Sequence, residues 1–168
     1  HGGDIETLQT MILQSKMGGA NAVKLQLYSS QKLFGDDRKL YAEVTFAELS
    51  YLYNYAKKIG IELFGSVFDL ERIHWCQMLN MSIYKIASRT FEEKQICDEV
   101  ISTGKTVLIS NGKNTDDFRY TGDNVKYFYC VAEYPAILEN VCLPDFNNSK
   151  YDGYSDHTNG LTAAKTAV

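Results

Sequence analysis

The chain has 168 residues, 45% of them hydrophobic and 23% charged, with a formal net charge of -4. That length suits one domain or part of one, and the composition supports a core. The negative balance argues against a general nucleic-acid or membrane-surface binder, and no apolar run approaches the roughly 20 residues of a membrane-spanning helix.

The first element in chain order is "IETLQTMILQSKMGG", with Ile5, Leu8, Met11 and Ile12 at helical spacing and Gly18 and Gly19 as its stop. "NAVKLQLY" is short and β-rich and predicts a strand, and "SSQKLFGDDRKLYAEV" predicts a polar loop. Thr45 is placed to N-cap the helix "FAELSYLYNYAKKIG", with Glu48 completing a capping box and Gly60 ending it. "IELFGS" predicts a strand and "DLERIHWCQMLN" a helix, in which His74 beside Trp75 is expected to pack. "SIYKIAS" then predicts a strand, "FEEKQICDEVISTG" a helix and "KTVLISN" a strand. A weak helix is expected from Asp116, a strand at "VKYFYCVA" and an irregular helical turn in "LENVCLPDFNNS". "YDGYS" predicts a short strand, and "TNGLTAAKTAV" the helix after it.

Strict alternation of strand and helix predicts parallel strands with right-handed crossovers, and the nearly continuous apolar strands imply cover on both faces. Two architectures fit: an open doubly wound sheet and a (β/α)8 TIM barrel. No GxGxxG follows the first strand, so the dinucleotide-binding form of the open sheet has little support. Six strands are predicted and a barrel needs eight. The first and last strands are therefore expected to lie outside this chain, which starts at His1 and stops within a helical pattern.

Cys76, Cys97, Cys130 and Cys142 form no CxxC pair and sit in apolar or helical contexts. They are read as buried, reduced thiols of a cytoplasmic protein without a signal peptide.

The polar residues favour the barrel. The C-terminal strand ends carry Lys24 and Gln26, Ser66, Lys85 and Ser88, Ser110 and Asn111, Glu133 and Tyr134, then Ser155, Asp156 and His157. Barrel chemistry sits at that end. A lysine inside an apolar strand must reach something polar, because burying an unpaired ammonium is costly. One such lysine usually reflects snorkelling or a carboxylate partner; two at equivalent depth, Lys24 and Lys85, favour a phosphate or carboxylate ligand. One of them acting as a Schiff-base lysine is the alternative. Ser66, Ser88 and Ser110 add hydroxyl donors for an oxyanion. His157, beside Asp156, is a candidate ligand for a divalent metal, whose further ligands must come from elsewhere.

The segments "HGGD", "ANAVKLQ", "YKIAS", "TGKTVLISNG", "YCVAEYPA" and "YSDHT", in this order and spacing, resemble the N-acetylneuraminate (sialic acid) synthase family over the whole chain. The resemblance implies a (β/α)8 barrel, of which residues 1–168 are a part, without the small antifreeze-like domain that usually follows. It implies condensation of phosphoenolpyruvate with an N-acetylated amino-sugar aldehyde, typically N-acetylmannosamine, with release of phosphate. It also implies a divalent metal, Mn2+ or Mg2+, held by His157 and by a histidine on the eighth strand, and a homodimeric full-length parent. Lys24, Lys85, Ser88, Ser110 and Ser155 match family positions that hold phosphoenolpyruvate, with the two lysines as the catalytic pair. Ser66 matches a threonine that does the same, and Tyr134 a tyrosine near the sugar. Two departures concern the sugar. Thr90 stands where many members have glutamate, and Ala132 where many have asparagine. A Schiff-base aldolase barrel and a non-catalytic anion-binding barrel are the competing readings.

Overall fold

A computed structural model of the chain describes residues 1–112 and 116–168. They form two compact units, His1–Tyr84 and Lys85–Val168, whose six described strands and six described α-helices make an α/β fold in which helices follow the first, second, third and sixth strands.

The first unit holds helix α1 (Ile5–Met17), strand β1 (Ala22–Leu27), the short helix α2 (Ser30–Phe34), α3 (Phe46–Ile59), β2 (Glu62–Val67) and α4 (Leu70–Met78). Asp4 caps α1 by accepting the Thr7 N–H at 2.7 Å. The capping box on α3 forms as expected, with the Thr45 N–H donating to Glu48 Oε2 at 2.8 Å and the Glu48 N–H to Thr45 Oγ1 at 3.3 Å. Gly60 ends α3 in the left-handed region, at φ 76°. Leu49, Leu52, Tyr53 and Ala56, at helical spacing, form its buried stripe.

β1 and β2 run parallel, with Leu25 opposite Gly65 and Gln26 opposite Ser66. β1 does not follow the continuous apolar pattern expected of a doubly covered strand. Leu25 and Leu27 are buried while Lys24 and Gln26 are exposed, the alternation of a strand covered on one face. β2 is buried from Leu63 to Val67. A Cβ on Gly65 would stand 2.7 Å from Leu27 Cδ1 and 2.9 Å from Cys76 Sγ, so β1 and α4 close over this position only because it lacks a side chain.

The segment after β1 is more ordered than the polar loop expected there. Ser29 caps α2, Gly35 ends it at φ 76°, and Leu40–Ala42 forms a 3-10 turn. A five-residue helix is too short to show an apolar period. Glu43, at the end of this segment, accepts the Ser30 N–H and pairs with Arg72 of α4. Arg72 is buried and also pairs with Asp69, the α4 N-cap, and with Glu71. Its guanidinium lies 4.5 Å from the centre of the Trp75 ring. His74 does not pack as expected: Ile73 and Cys76 take the inner face of α4, and His74 is exposed.

β3 (Ile83–Ile86) leads into the second unit, with α5 (Lys94–Ser102), β4 (Thr106–Asn111), β5 (Val125–Tyr129), β6 (Gly153–Tyr154) and α6 (Thr162–Thr166). β4, β5 and β6 pair in parallel, and Ser110, Phe128 and Gly153 form one row across them. Asn124 ties the entry to β5, its Nδ2 donating to the carbonyls of Ile101 and Lys105 at 3.1 and 2.9 Å. No helix starts at Asp116. The Asp117 carboxylate takes the Arg119 N–H at 3.0 Å and Nε at 2.7 Å, local bonds that compete with a helix. Tyr120 is then drawn inward, its OH donating to the Phe91 carbonyl at 2.8 Å. The last helix is shorter than expected, beginning after Gly160, whose φ is 91°.

Cys76, Cys97 and Cys130 are buried free thiols as expected, but Cys142 is exposed, on the irregular segment after the 3-10 turn Leu138–Asn140. No helix among the described residues is long and apolar enough to cross a membrane.

Candidate functional site

In the first unit, the β1–β2 register places Lys24 beside Phe64 and Gln26 beside Ser66. Neighbouring side chains in a parallel pair share a face, so Lys24, Gln26 and Ser66 stand on one face, Lys24 near the middle of β1 and Gln26 and Ser66 toward the C-terminal ends. Ser66 is buried. Lys24 opens onto a cavity of about 410 Å3 whose lining includes Leu8, Ile12, Gln26, Tyr28 and Val44. Its side chain has exposed surface, yet the surrounding walls strip part of its hydration. That desolvation moves its pKa below the ordinary lysine value.

The sign of this shift gives a prediction. A lysine whose folded pKa lies below its unfolded value of 10.5 binds its proton less firmly in the native state, so the charge opposes folding at neutral pH. Lys24→Met is expected to raise the melting temperature at pH 7. The gain should fade as pH climbs through the folded pKa toward 10.5. Parallel thermal melts of both proteins at pH 7 and pH 10 test this, and equal melting temperatures at pH 7 would contradict it.

In the second unit, Lys85 is buried on β3. Its Nζ donates to Ser110 Oγ of β4 and, at 3.2 Å, to the Ile86 carbonyl, and it stands 5.7 Å from the centre of the Phe128 ring. Phe128 gains its place from Gly153: a Cβ there would meet the ring at 3.1 to 3.3 Å. Ser88, just past β3, has its Oγ 3.0 Å from Cys130 Sγ. Thr90 is buried, and its carbonyl accepts from Cys97 Sγ at 3.4 Å, so this position adds no carboxylate to the strand ends. Asn111 differs in role from Ser110. It is buried, its Nδ2 donates to the Asp117 carbonyl at 2.7 Å, and it holds the following segment.

His157 and Tyr134 meet in this unit, with ring centres 4.0 Å apart and ring planes inclined by 29°. His157 Nδ1 lies 2.6 Å from the Val131 carbonyl, which can only accept. Nδ1 therefore carries a proton, and when the ring is neutral its lone pair lies on Nε2, 2.9 Å from the Tyr134 hydroxyl, which can donate to it. That tautomer suits a metal ligand fixed by a backbone carbonyl. Among the described residues no group of three His, Cys, Asp or Glu gathers, so His157 fits as one donor of an incomplete set. The neighbouring Asp156 is occupied locally: its Oδ1 accepts from the Thr158 N–H, the Thr158 hydroxyl and the Tyr154 hydroxyl. Ser155 is anchored through its N–H to the Tyr129 carbonyl at 2.8 Å.

Thus Lys24 and Ser66 share one strand face in the first unit. Lys85 joins Ser110, and Tyr134 joins His157, in the second. The sequence reading missed Phe128 and Cys130, which lie under Lys85 and beside Ser88. Both sit inside the apolar run "VKYFYCVA", where only the neighbouring strand shows what they touch.

These features define an α/β protein whose parallel strands present ammonium and hydroxyl groups at their C-terminal ends, a layout suited to an anionic ligand. The chain belongs to the NeuB family, whose model matches residues 11–168. It is 29% identical over its whole length to an uncharacterised protein of Methanocaldococcus jannaschii, covering 56% of that protein. It is 24% identical, again over its whole length, to the pseudaminic acid synthase of Campylobacter jejuni, covering 59% of it. The chain thus spans less than two thirds of these relatives. Among solved structures, the N-acetylneuraminic acid synthetase of Leptospira borgpetersenii in complex with citrate matches 99% of this chain and 65% of its own. The TM-score is 0.85 and the identity 22%, a likeness of fold.

Proposed function

We propose that this chain is part of a synthase that condenses phosphoenolpyruvate with an N-acetylated amino-sugar aldehyde, yielding a nonulosonic acid and inorganic phosphate. The observation that carries the reading is the buried Lys85 joined to Ser110 at adjacent strand ends, with the Ser88 hydroxyl just past β3. Family membership and a relative named as a pseudaminic acid synthase support the same class. Lys85, Ser88, Ser110 and Ser155 are assigned to phosphoenolpyruvate, as are Lys24 and Ser66. The Lys85 ammonium offsets part of the charge of a ligand that carries both phosphate and carboxylate, and the hydroxyls beside it donate to its oxygens. Tyr134 is assigned to the sugar. A divalent ion, Mn2+ or Mg2+, held in part by His157 Nε2, would supply Lewis-acid polarisation of the aldehyde.

In this reaction the methylene carbon of phosphoenolpyruvate forms the new bond to the aldehyde carbon. Water adds to the cationic carbon left behind, and the tetrahedral intermediate expels phosphate. Buried Thr90, and Ala132 without a side-chain amide, leave the acceptor as a sugar related to N-acetylmannosamine rather than that sugar by necessity.

One observation favours a second reading. The lowered pKa of Lys24 is what an imine-forming amine needs, as in a Schiff-base aldolase. Two assays separate the readings. Phosphorus NMR of the protein with phosphoenolpyruvate, Mn2+ and a panel of N-acetylated hexoses should show inorganic phosphate with some of them. Borohydride with pyruvate should leave no adduct. A stable adduct on Lys24, with no phosphate released from any sugar, reverses the assignment.

A further inference from the structure

Cys130 directly follows β5 with 1% of its surface exposed, and its Sγ stands 3.0 Å from Ser88 Oγ. The thiol is held there by packing. Opposite it lies Gly112, where a Cβ would stand 2.5 Å from the sulfur, 2.9 Å from the Cys130 carbonyl oxygen and 3.2 Å from Ala132 Cβ. Gly112 therefore leaves room for the sulfur at this position, with Ser88 as its polar neighbour.

We propose that Cys130 is a positioning residue for phosphoenolpyruvate: its S–H donates to Ser88 Oγ and turns the serine proton toward the ligand. The proposal rests on the reading of Ser88 as a phosphoenolpyruvate contact. The direction follows from chemistry. A hydroxyl offers one donor and two acceptor sites, whereas an anionic oxygen only accepts. To serve the anion, Ser88 must spend its own proton outward. The 3.0 Å contact with sulfur must then be made with sulfur as the donor. Were the S–H turned away, the hydroxyl could point its own proton at the sulfur instead, and with no thiol there the hydroxyl would lose the contact that orients it. The role explains why a thiol suits the site. Alanine would fill part of the space and donate nothing, while serine would keep a donor.

Two measurements test this. The first needs no ligand. In the infrared difference spectrum between wild type and Cys130→Ala, the S–H stretching band of Cys130 is isolated from those of the other three cysteines. Ser88→Ala should move that band to higher frequency, because the S–H loses its acceptor. An unmoved band overturns the proposal. The second is phosphoenolpyruvate affinity by titration calorimetry, with thermal melts alongside. Cys130→Ala should weaken binding roughly five- to tenfold, while Cys130→Ser restores it to within about twofold. A merely structural role would make the two variants lose affinity in proportion to lost stability. Wild-type affinity in Cys130→Ala, with Ser88→Ala impaired, overturns the positioning role. Wild-type affinity in Ser88→Ala overturns instead the reading of Ser88 as a ligand contact.

Discussion

Lys85→Met is expected to reduce phosphoenolpyruvate affinity at least about a hundredfold while changing the melting temperature by only a few degrees. The first half follows from charge: an ammonium hydrogen-bonded to an anion is worth about 1.5–3 kcal/mol per bond, more where water is excluded. Lys85 is 5% exposed, so water screens little of its field. The second half follows from packing. Methionine nearly matches the lysine stem in volume, and exchanging a buried charge for an apolar side chain of similar size is often close to neutral. Phe128, whose ring centre lies 5.7 Å from Nζ, gives the thioether an aromatic neighbour. Lys85→Arg should not rescue binding, because the planar fork is larger than the space beside Ser110 and cannot mimic a point charge. Calorimetric titration with phosphoenolpyruvate and a thermal melt decide the matter. Wild-type affinity in Lys85→Met would remove Lys85 from the site, and a variant that fails to fold would make it a structural residue.

The alternation of strands and helices was legible because each element carries its own local signals. α3 shows this best: Thr45 and Glu48 mark its start, Leu49, Leu52, Tyr53 and Ala56 its buried stripe, and Gly60 its end. The strand-end polar residues were legible too, since a lysine within "IYKIAS" breaks an apolar run. What failed depends on contacts distant in sequence or on competition between local bonds. Asp116 looked like a helix start, but Asp117 and Arg119 bond each other and Tyr120 anchors to Phe91. His74 looked like a packing residue from its neighbour Trp75, but in a helix adjacent residues face about 100° apart. Cys142 shares its residue type with three buried thiols but lies on an irregular exposed segment. Within the site, Lys85 and Ser110 were nominated separately, and only the fold shows that they bond. Cys130 carried no signal, because a cysteine at the end of an apolar strand reads as core.

Arg72→Met is expected to destabilise the protein by about 3 kcal/mol, for a reason the sequence conceals. An arginine on a helix is ordinarily a solvent-facing residue, but this one is 6% exposed. Its guanidinium lies 2.7 Å from Glu71, 3.4 Å from Asp69 and 3.8 Å from Glu43, and stacks over Trp75. Among the described residues its Nε is the one buried side-chain polar atom without a hydrogen-bond partner, so the cluster is not fully satisfied even when intact. The network as a whole is therefore a weak source of stability, yet breaking it from the cationic side is costly. Glu43 and Asp69, with side chains only 19% and 11% exposed, lose the guanidinium while staying close to protein rather than water, and Asp69 is left with Lys32 at 4.0 Å. Glu43 also holds the Ser30 N–H, so the strain should spread into the segment that follows β1. The double variant Arg72→Met with Glu43→Gln should recover a good part of the loss, since one stranded charge is gone and the amide oxygen can still accept from Ser30. Urea unfolding of the two single variants and the double gives the coupling directly. Strict additivity would show that Arg72 and Glu43 act independently, and that the arginine acts through Asp69, Glu71 and Trp75 instead.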